Sequence, residues 1–379
     1  MAQKHILIIC GEASGDLNAS YLIQAIKSLM PEVKFSGIGG IYMQQQGVKL
    51  YDHIQKLSVL GFFDALKKLT RFIHLKKLIL KKIREEKPDA IILVDFSGFN
   101  LRLAKEIKKS IPVIYYISPQ VWASRPGRIK TIKKYVNEMI VLFGFEEEFY
   151  KKHGVNANCV GHPLLDTVRI SMDEKEFLTK LHLSESKIII ALLPGSRTQE
   201  VKYILPVMLK AAKHIQRKIK DVQFVVAKSP NVGINIYKKN ILGSGIDVKF
   251  IDNKTYECLN IAKFCLVASG TATIETAIAG KPFLIIYKMG WLNYLLYRPQ
   301  IKLPFIGMVN LIARKKIIPE FIQSKAKPKK IAQETIRILG DSSEIKRIQS
   351  DLAEVKSLLG DEGANARAAS LIIDFLSKK

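Results

Sequence analysis

The sequence predicts an α/β protein with two domains, each built on a parallel sheet that helices cover on both faces. Short apolar runs without a polar face alternate with helical segments along the chain, which is typical of strands buried on both sides. A length of 379 residues favours two domains over one. The hydrophobic content of 48% and the charged content of 25% exclude a disordered chain.

The first domain is predicted to contain six apolar strands with helices between them. The turn after the first strand carries Glu12 and Ser14 and lacks the GxGxxG fingerprint of a dinucleotide site. An amphipathic helix is predicted to follow from Leu17 to Met30. The predicted strands are residues 5–10, 33–38, 90–94, 112–117, 139–143 and 159–160.

The strand pattern pauses between residues 164 and 186 and then restarts, so we place a linker there. The first domain is predicted to span residues 1–166 and the second 167–345, with C-terminal helices over 346–379. These helices could cap the second domain, cross back to the first, or swap between protomers of a homodimer. The predicted strands of the second domain are residues 187–193, 222–227, 248–251, 264–268 and 283–287.

Two turns of the second domain have the form of phosphate sites, in which a strand leads through small residues into a helix whose N-terminal amides attract anions. One contains Ser269, Gly270 and Thr271. The other contains Gly195, Ser196 and Arg197, whose guanidinium could clamp a diphosphate. Two such turns in one domain predict a bound nucleotide, which leaves the first domain for the other substrate.

Glu275 follows the first of these turns. A capping box would need Ser or Thr at position 272, where the chain has Ala, so that explanation fails. The carboxylate could accept hydrogen bonds from sugar hydroxyls, or could simply complement the dipole of a solvated helix terminus.

Polar residues at strand ends of the first domain are candidates for chemistry. Asp95 follows an apolar strand, where a carboxylate could act as a general base or could cap a helix. Glu12 and Ser14 allow the same two interpretations. His162, at the domain junction, is expected to face the interdomain cleft, although a single histidine is more often structural.

The formal net charge of +26 predicts an anionic partner, which could be nucleic acid, an anionic lipid surface or a phosphorylated substrate. The segment from Leu66 to Lys87 is basic and amphipathic. It could lie on an anionic membrane or form a surface helix with a solvated lysine face. A nucleic-acid-binding module is not recognisable in the chain.

The remaining composition argues against several other classes of protein. The four cysteines have no paired spacing and no zinc pattern, which indicates buried free thiols in a reducing compartment. The N-terminus does not read as a signal peptide, and no apolar run is long enough to span a bilayer.

Taken together and in order, the motifs resemble the lipid A disaccharide synthase family of glycosyltransferases. The resemblance covers residues 11–323, and each motif alone is weak while the ordered set is specific. The matching stretches are GEASGD (11–16), LSVLG (57–61), VD with FN (94–100), SPQVWA (118–123), GHP (161–163), LPGSR (193–197), ASGTA with Glu275 (268–275), Asn310 and PEFIQ (319–323).

The resemblance implies a GT-B architecture, two Rossmann-like domains facing across a cleft, and no metal ion or other cofactor. The implied reaction joins UDP-2,3-diacylglucosamine to 2,3-diacylglucosamine 1-phosphate with inversion, at the cytoplasmic face of the inner membrane. Another UDP-sugar enzyme of this fold, such as a peptidoglycan-type glycosyltransferase or a UDP-N-acetylglucosamine epimerase, is the alternative.

The resemblance also assigns residues to roles. Asp95 would be the essential carboxylate and base. Around UDP it places Gly195, Ser196, Arg197, Ser269, Gly270, Thr271, Glu275 and Asn310, and on the acceptor side Glu12, Ser14, Trp122 and His162. Two positions depart from the family pattern: Ser124 stands where a second Trp is usual, and GMVN (307–310) replaces SLPN.

Overall fold

The computed structural model describes residues 3–54, 65–107, 110–291, 294–295 and 303–378. The chain divides into two compact units. The first comprises Met1–Leu165 together with Leu359–Lys379, and the second comprises Asp166–Leu358. Each unit contains one parallel sheet, which confirms the predicted fold class.

The first unit contains a seven-stranded sheet in the order β3-β2-β1-β4-β5-β6-β7. Its inner strands are mostly apolar and buried because helices cover both faces. They are β1 His5–Ile9, β2 Lys34–Gly39, β3 Lys49–His53, β4 Ala90–Val94, β5 Val113–Tyr116, β6 Glu138–Val141 and β7 Ala157–Cys159. The helices are α1 Ala13–Leu29, α2 Ile41–Gln45, α3 Ala65–Glu86, α4 Ser97–Ile107, α5 Ile129–Tyr135, α6 Gly144–Lys152 and α7 Leu164–Thr167, whose last two residues belong to the second unit.

The second unit repeats this design with six strands in the order β10-β9-β8-β11-β12-β13. The strands are β8 Ile188–Leu193, β9 Val222–Lys228, β10 Val248–Asp252, β11 Phe264–Ala268, β12 Phe283–Tyr287 and β13 Glu320–Ile322. The helices are α8 Glu174–Lys180, α9 Thr198–Gln216, α10 Ile234–Leu242, α11 Thr255–Ile261, α12 Thr271–Ile278, α13 Met308–Ile312, α14 Pro328–Leu339 and α15 Ser342–Leu358.

The direction of the strand order reverses once in each sheet, between β1 and β4 in the first unit and between β8 and β11 in the second. Ile9 is paired with Leu93 at the first reversal, and Val267 with Leu193 at the second. The turns that follow these strands therefore lie side by side at the carboxyl edge, where open α/β sheets bind ligands. This topology brings the turn after β1 to Asp95, and the turn after β8 to Ser269.

The last helix, α16 (Ala364–Ser377), belongs to the first unit and packs against α1 of the same chain. The Arg367 guanidinium donates to the Val160 carbonyl at 3.0 and 2.7 Å, and the Tyr116 hydroxyl donates to Asn365 Oδ1 at 3.1 Å. Of the C-terminal helices, α15 thus stays with the second unit and α16 crosses back. Exchange of helices in a homodimer stays a prediction, which a molar mass in solution would test.

Several predicted elements differ from the structure at their ends. α1 begins at Ala13 and not at Leu17, so Ser14 lies in its first turn and not in a loop. The three-residue strand β13 and the polar strand β3 were not predicted, because neither has the buried apolar pattern of the inner strands.

The basic segment forms α3, which buries one stripe of its surface. Leu75, Ile79 and Ile83 are buried, whereas Ile73 is 44% exposed. Leu66 is among the residues 65–69, whose side chains lie outside the description. The helix is thus a surface helix of the first unit with a solvated basic face, as one of the two interpretations predicted.

Candidate functional site

Asp95 directly follows strand β4, with its backbone in a left-handed conformation. Its φ is +45°, and that of Phe96 is +44°, which costs energy in residues with a side chain. Asn100 Nδ2 holds the turn by donating to the carbonyls of Val94 (3.2 Å) and Asp95 (2.9 Å), and the Tyr115 hydroxyl also donates to the Asp95 carbonyl. Phe96, and not Asp95, directly precedes α4, so the strained turn supports the catalytic interpretation over the capping one.

Phe96 ties this turn to the turn after β1. A Cβ atom at position 11 would lie 2.2 Å from the Phe96 ring, so only glycine allows the ring to approach. The ring also stacks on Phe99 at a centroid distance of 5.4 Å and contacts Phe72 of α3 at 5.7 Å. This aromatic cluster fixes the position of the backbone next to Asp95.

Asp95 lines a cavity of about 300 Å³, which we call the Asp95 cavity. The other residues that line it come from the start of α4 and from the segment between β5 and α5. They are Ser97, Pro119, Gln120, Val121, Ser124 and Arg128. Ser124, one of the two departures from the family pattern, thus lies in the wall of this cavity. Arg128 was not predicted from the sequence, where it reads as one basic residue among many.

Trp122 is held by a buried carboxylate that the sequence did not reveal. Trp122 Nε1 donates to Glu146 Oε1 at 3.0 Å, and the Ser118 hydroxyl donates to the same oxygen at 2.8 Å. Burial raises the pKa of Glu146 above its ordinary value. The Trp122 ring also packs edge-on against Phe145 at 5.0 Å. Trp122 is only half-buried, so it remains an acceptor-side candidate with a fixed orientation.

The residues of the turn after β1 have different environments. Glu12 is half-buried and precedes α1, and Ser14 is exposed on the first turn of that helix. Asp16, in contrast, is buried and accepts hydrogen bonds from the amides of Gly40 (2.6 Å) and Met43 (3.2 Å). Its carboxylate therefore caps α2, a structural role.

His162 is 6% exposed and makes contacts inside the first unit. Its Nδ1 accepts from the Leu164 amide at 3.2 Å, and its ring lies 5.5 Å from that of Phe143. Burial lowers the pKa of His162 to about 4, which keeps the ring neutral. This environment favours a structural role over the acceptor contact that was predicted.

In the second unit, the turn after β11 leads through Ser269 and Gly270 into α12, the strand-turn-helix order that the sequence predicted. The Ser269 amide donates to the Ile286 carbonyl at 3.0 Å, which joins the turn to β12. Gly270 has a φ of +155°, a conformation suited to glycine, and among the described residues no contact beyond its chain neighbours lies within 4 Å of where its Cβ would be. Thr271 is exposed and begins α12, and Gly280 follows that helix with a positive φ of +65°.

Glu275 lies on α12, half-buried, one turn after Thr271. The Tyr256 hydroxyl donates to its Oε1 at 3.2 Å. Burial raises the pKa of Glu275, and this hydrogen bond opposes the rise because it stabilises the charged form. Glu275 therefore accepts a hydrogen bond from Tyr256 and is not a fully solvated surface carboxylate.

The turn after β8 already holds an anionic group from the chain itself. The amides of Ser196 and Arg197 donate to Glu200 Oε2 at 3.0 and 3.2 Å, and Arg197 Nη1 donates to Glu200 Oε1 at 3.0 Å. The amides predicted to bind phosphate are thus hydrogen-bonded to Glu200. The Arg197 side chain stays 62% exposed beside Gly195, whose φ is +109°.

Asn310 is fully buried, and its amide group is saturated by local hydrogen bonds. Oδ1 accepts from the amides of Ile317 and Ile318 at 2.9 Å each, and Nδ2 donates at 2.8 Å to the Ile318 carbonyl and to Glu320 Oε1. These hydrogen bonds give Asn310 a positioning role, and its contact with UDP stays a prediction. Glu320 extends this network by accepting from the amide of Gly307 at 2.9 Å.

The network reaches the turn after β11 through one further contact. Ser269 Oγ donates to the Ile306 carbonyl at 3.4 Å, and the Ile306 amide donates to Glu320 Oε2 at 3.0 Å. Glu320 lies in the PEFIQ stretch, the only sequence signal that pointed to it. Asn310 and Glu320 thus set the position of a segment that touches Ser269.

Among the residues that the structure describes, no group of three or more His, Cys, Asp or Glu side chains could hold a metal ion. No helix among these residues is long and apolar enough to cross a bilayer.

The fold of the whole chain is that of GT-B glycosyltransferases and related UDP-sugar enzymes. It is similar to the S. aureus MnaA–UDP co-structure, with a TM-score of 0.66 at 14% identity over 99% of this chain and 97% of that one. It is also similar to a glycosyltransferase from Rickettsia africae, with a TM-score of 0.58 at 13% identity and complete coverage of both chains.

Sequence comparison identifies the family within this class of GT-B enzymes. The profile of the lipid-A-disaccharide synthetase family matches residues 6–373. A lipid-A-disaccharide synthase from Syntrophus aciditrophicus is 41% identical over 380 residues, which cover 100% of this chain and 99% of the relative. The chain belongs to the lipid-A-disaccharide synthetase family. This membership confirms the resemblance and the predicted function, an enzyme of the lipid-A-disaccharide synthase type.

Proposed function

We propose that this protein joins UDP-2,3-diacylglucosamine to 2,3-diacylglucosamine 1-phosphate, with Asp95 as the base. Asp95 would accept the proton of the acceptor 6-hydroxyl as its oxygen forms a bond to C1 of the donor sugar. The bond between C1 and the β-phosphate oxygen breaks, and UDP leaves with the electron pair. The products are the β-1,6-linked disaccharide 1-phosphate and UDP.

The position of Asp95 is the observation that carries this proposal. It lies at the reversal of strand order in the first unit, on a strained turn, and in the wall of a cavity. A strained backbone held by Asn100 and Tyr115 is typical of a residue whose orientation matters for function.

We propose that the second unit binds the UDP moiety. The N-terminal end of α12, with Ser269, Gly270 and Thr271, would stabilise the phosphate charge that grows as UDP departs. Glu275 would accept hydrogen bonds from ribose hydroxyls. Arg197 would add its exposed guanidinium to the diphosphate, with Ser196 and Gly195 beside it. No metal ion is required in this arrangement.

The test is UDP release from both substrates in mixed micelles, for the wild type and for Asp95→Asn. We expect release that depends on the acceptor and falls by a factor of 10² or more in the variant, because general base catalysis contributes about 10² to 10⁴. Asp89 lies just before the other end of β4 and pairs with Lys4 at 3.1 Å, so Asp89→Asn is the matched control and should retain activity. Consumption of UDP-N-acetylglucosamine without an acceptor would instead indicate an epimerase.

We further propose that the first unit collects these lipids from an anionic membrane surface through the basic face of α3. Lys77, Lys81 and Arg84 are exposed on this helix. Each cation near an anionic bilayer contributes about 1 kcal/mol. Substitution of all three by Gln should weaken sedimentation with anionic vesicles at low salt. The same substitution of the exposed residues Lys327, Lys329 and Lys330 in the second unit should have little effect.

A further inference from the structure

A cationic side chain in the Asp95 cavity has no role in the reaction as described so far. Arg128 ends the short 3-10 helix Pro126–Arg128 and lines the cavity together with Asp95. Its Nη1 donates to the Ser97 hydroxyl at 2.9 Å, and Ser97 lines the same cavity. The hydrogen bond therefore holds the guanidinium at the cavity wall.

Two further arginines act on Arg128, and Asp95 is the acidic residue among those that line its cavity. Burial, and then the nearby charge of Arg125, lower the pKa of Arg128, and Arg102 acts in the same direction. Ser97, the partner that the described residues provide for its N–H groups, is uncharged. A guanidinium has five N–H donors, so this partner leaves capacity for an anion. Concentrated positive charge in a concave site attracts anionic ligands, and a guanidinium matches the geometry of a phosphate group.

We propose that Arg128 binds the phosphate group of the acceptor sugar, and that this contact makes the enzyme select phosphorylated acceptors. The inference rests on the proposed function, in which Asp95 activates the acceptor 6-hydroxyl. In a glucosamine 1-phosphate, C5 carries C6 with its hydroxyl and C1 carries the phosphate. Both C5 and C1 are bonded to the ring oxygen. The two groups are thus separated by one side of a single sugar ring, and one small cavity presents a base and a phosphate-binding cation to them.

Stereochemistry assigns this cation to the acceptor and not to the donor. In an inverting transfer the acceptor oxygen attacks C1 of the donor from the face opposite to the departing diphosphate. The base therefore lies on one side of C1 and the diphosphate on the other. Arg128 shares its cavity with the proposed base, so an anion bound there belongs to the attacking sugar.

The test compares two acceptors, 2,3-diacylglucosamine 1-phosphate and 2,3-diacylglucosamine, at matched surface fractions in mixed micelles. We expect the wild type to prefer the phosphorylated acceptor in kcat/KM. Arg128→Gln should lower kcat/KM for that acceptor by roughly tenfold or more, because the half-buried guanidinium loses a charge-assisted hydrogen bond to the phosphate. The value for the unphosphorylated acceptor should stay within about threefold, and so should KM for the donor, because neither involves this contact.

Two further variants separate the phosphate contact from general effects. Arg128→Lys keeps the charge but lacks the planar fork, and should retain part of the preference. Arg217→Gln removes an exposed cation just after α9 and should retain all of it. The preference of the wild type for the phosphorylated acceptor can be measured without any variant. The predicted selectivity is therefore tested even if Arg128→Gln folds poorly.

Each contrary result has a distinct meaning. Equal losses on both acceptors would show that Arg128 acts through the fold, and a loss confined to the donor KM would place it on the donor diphosphate. Either result overturns the proposal, as does a wild type that transfers equally well to both acceptors. A wild type that transfers to neither acceptor would refute the proposed function itself, and this site with it.

Discussion

Replacement of Asn310 by alanine distinguishes a positioning residue from a ligand contact. The substitution would leave the amides of Ile317 and Ile318 without their acceptor and the Ile318 carbonyl without its donor. Glu320 would lose one donor but would keep the amides of Ile306 and Gly307. A buried polar group left unsatisfied costs about 1 to 3 kcal/mol. With three groups left unsatisfied and partial relaxation, we expect the free energy of unfolding to fall by about 4 kcal/mol.

Urea unfolding followed by circular dichroism measures this loss, and calorimetric titration with UDP measures the effect on binding. UDP affinity should fall as well, because the segment that contacts Ser269 is no longer held. Asn240→Ala is the control in the same unit, since Asn240 makes a single hydrogen bond, to the Ile236 carbonyl. That variant should stay within about 1 kcal/mol of the wild type.

The opposite pattern would refute the reasoning. If Asn310→Ala lost UDP affinity by tenfold or more while its free energy of unfolding changed by less than about 0.5 kcal/mol, the side chain would contact the nucleotide directly. The hydrogen bonds inside the second unit would then be incidental to its role.

Three further predictions concern single side chains. The pKa of His162 is about 4 in the folded protein and about 6.5 in the unfolded chain. The unfolded state therefore binds more protons between these pH values. The free energy of unfolding should fall by about 3 kcal/mol from pH 6.5 to 4. Urea unfolding at several pH values, compared with His162→Gln, should show this slope only in the wild type. Gly11→Ala should lower the free energy of unfolding in urea by about 1 to 3 kcal/mol and should lower kcat, because the new methyl group meets the Phe96 ring. An unchanged urea midpoint would contradict this packing argument. Tyr256→Phe should raise the pKa of Glu275 further, because it removes the hydrogen bond to the carboxylate. In calorimetric titrations, UDP binding should then weaken more at pH 6 than at pH 8. An equal loss at both pH values would exclude protonation of Glu275 as the cause.

The sequence predicted the inner strands well because burial on both faces leaves a continuous apolar run. Strands β4, β11 and β12 begin and end at the predicted residues. The fold class and the position of Asp95 at a strand end follow from the same pattern. Polar β3 and short β13 lie at sheet edges, where this pattern is absent.

The partners of individual side chains could not be predicted, since most of them lie far away in the sequence. Asp16 accepts from amides 24 to 27 residues away, and Trp122 binds a carboxylate 24 residues away. Arg128 becomes a candidate only when the fold places it in the same cavity as Asp95. Local pattern cannot distinguish such a residue from a solvated surface cation.

The return of α16 to the first unit has a consequence for the order of folding during synthesis. The N-terminal half leaves the ribosome first but lacks the segment from Leu359 onward, which supplies the helix against α1 and the Leu359 carbonyl that binds the His162 amide at 2.9 Å. Asp166–Leu358 is a continuous stretch with a complete sheet of its own. The second unit is thus contiguous in sequence, whereas the first unit cannot complete its packing until α16 has been synthesised.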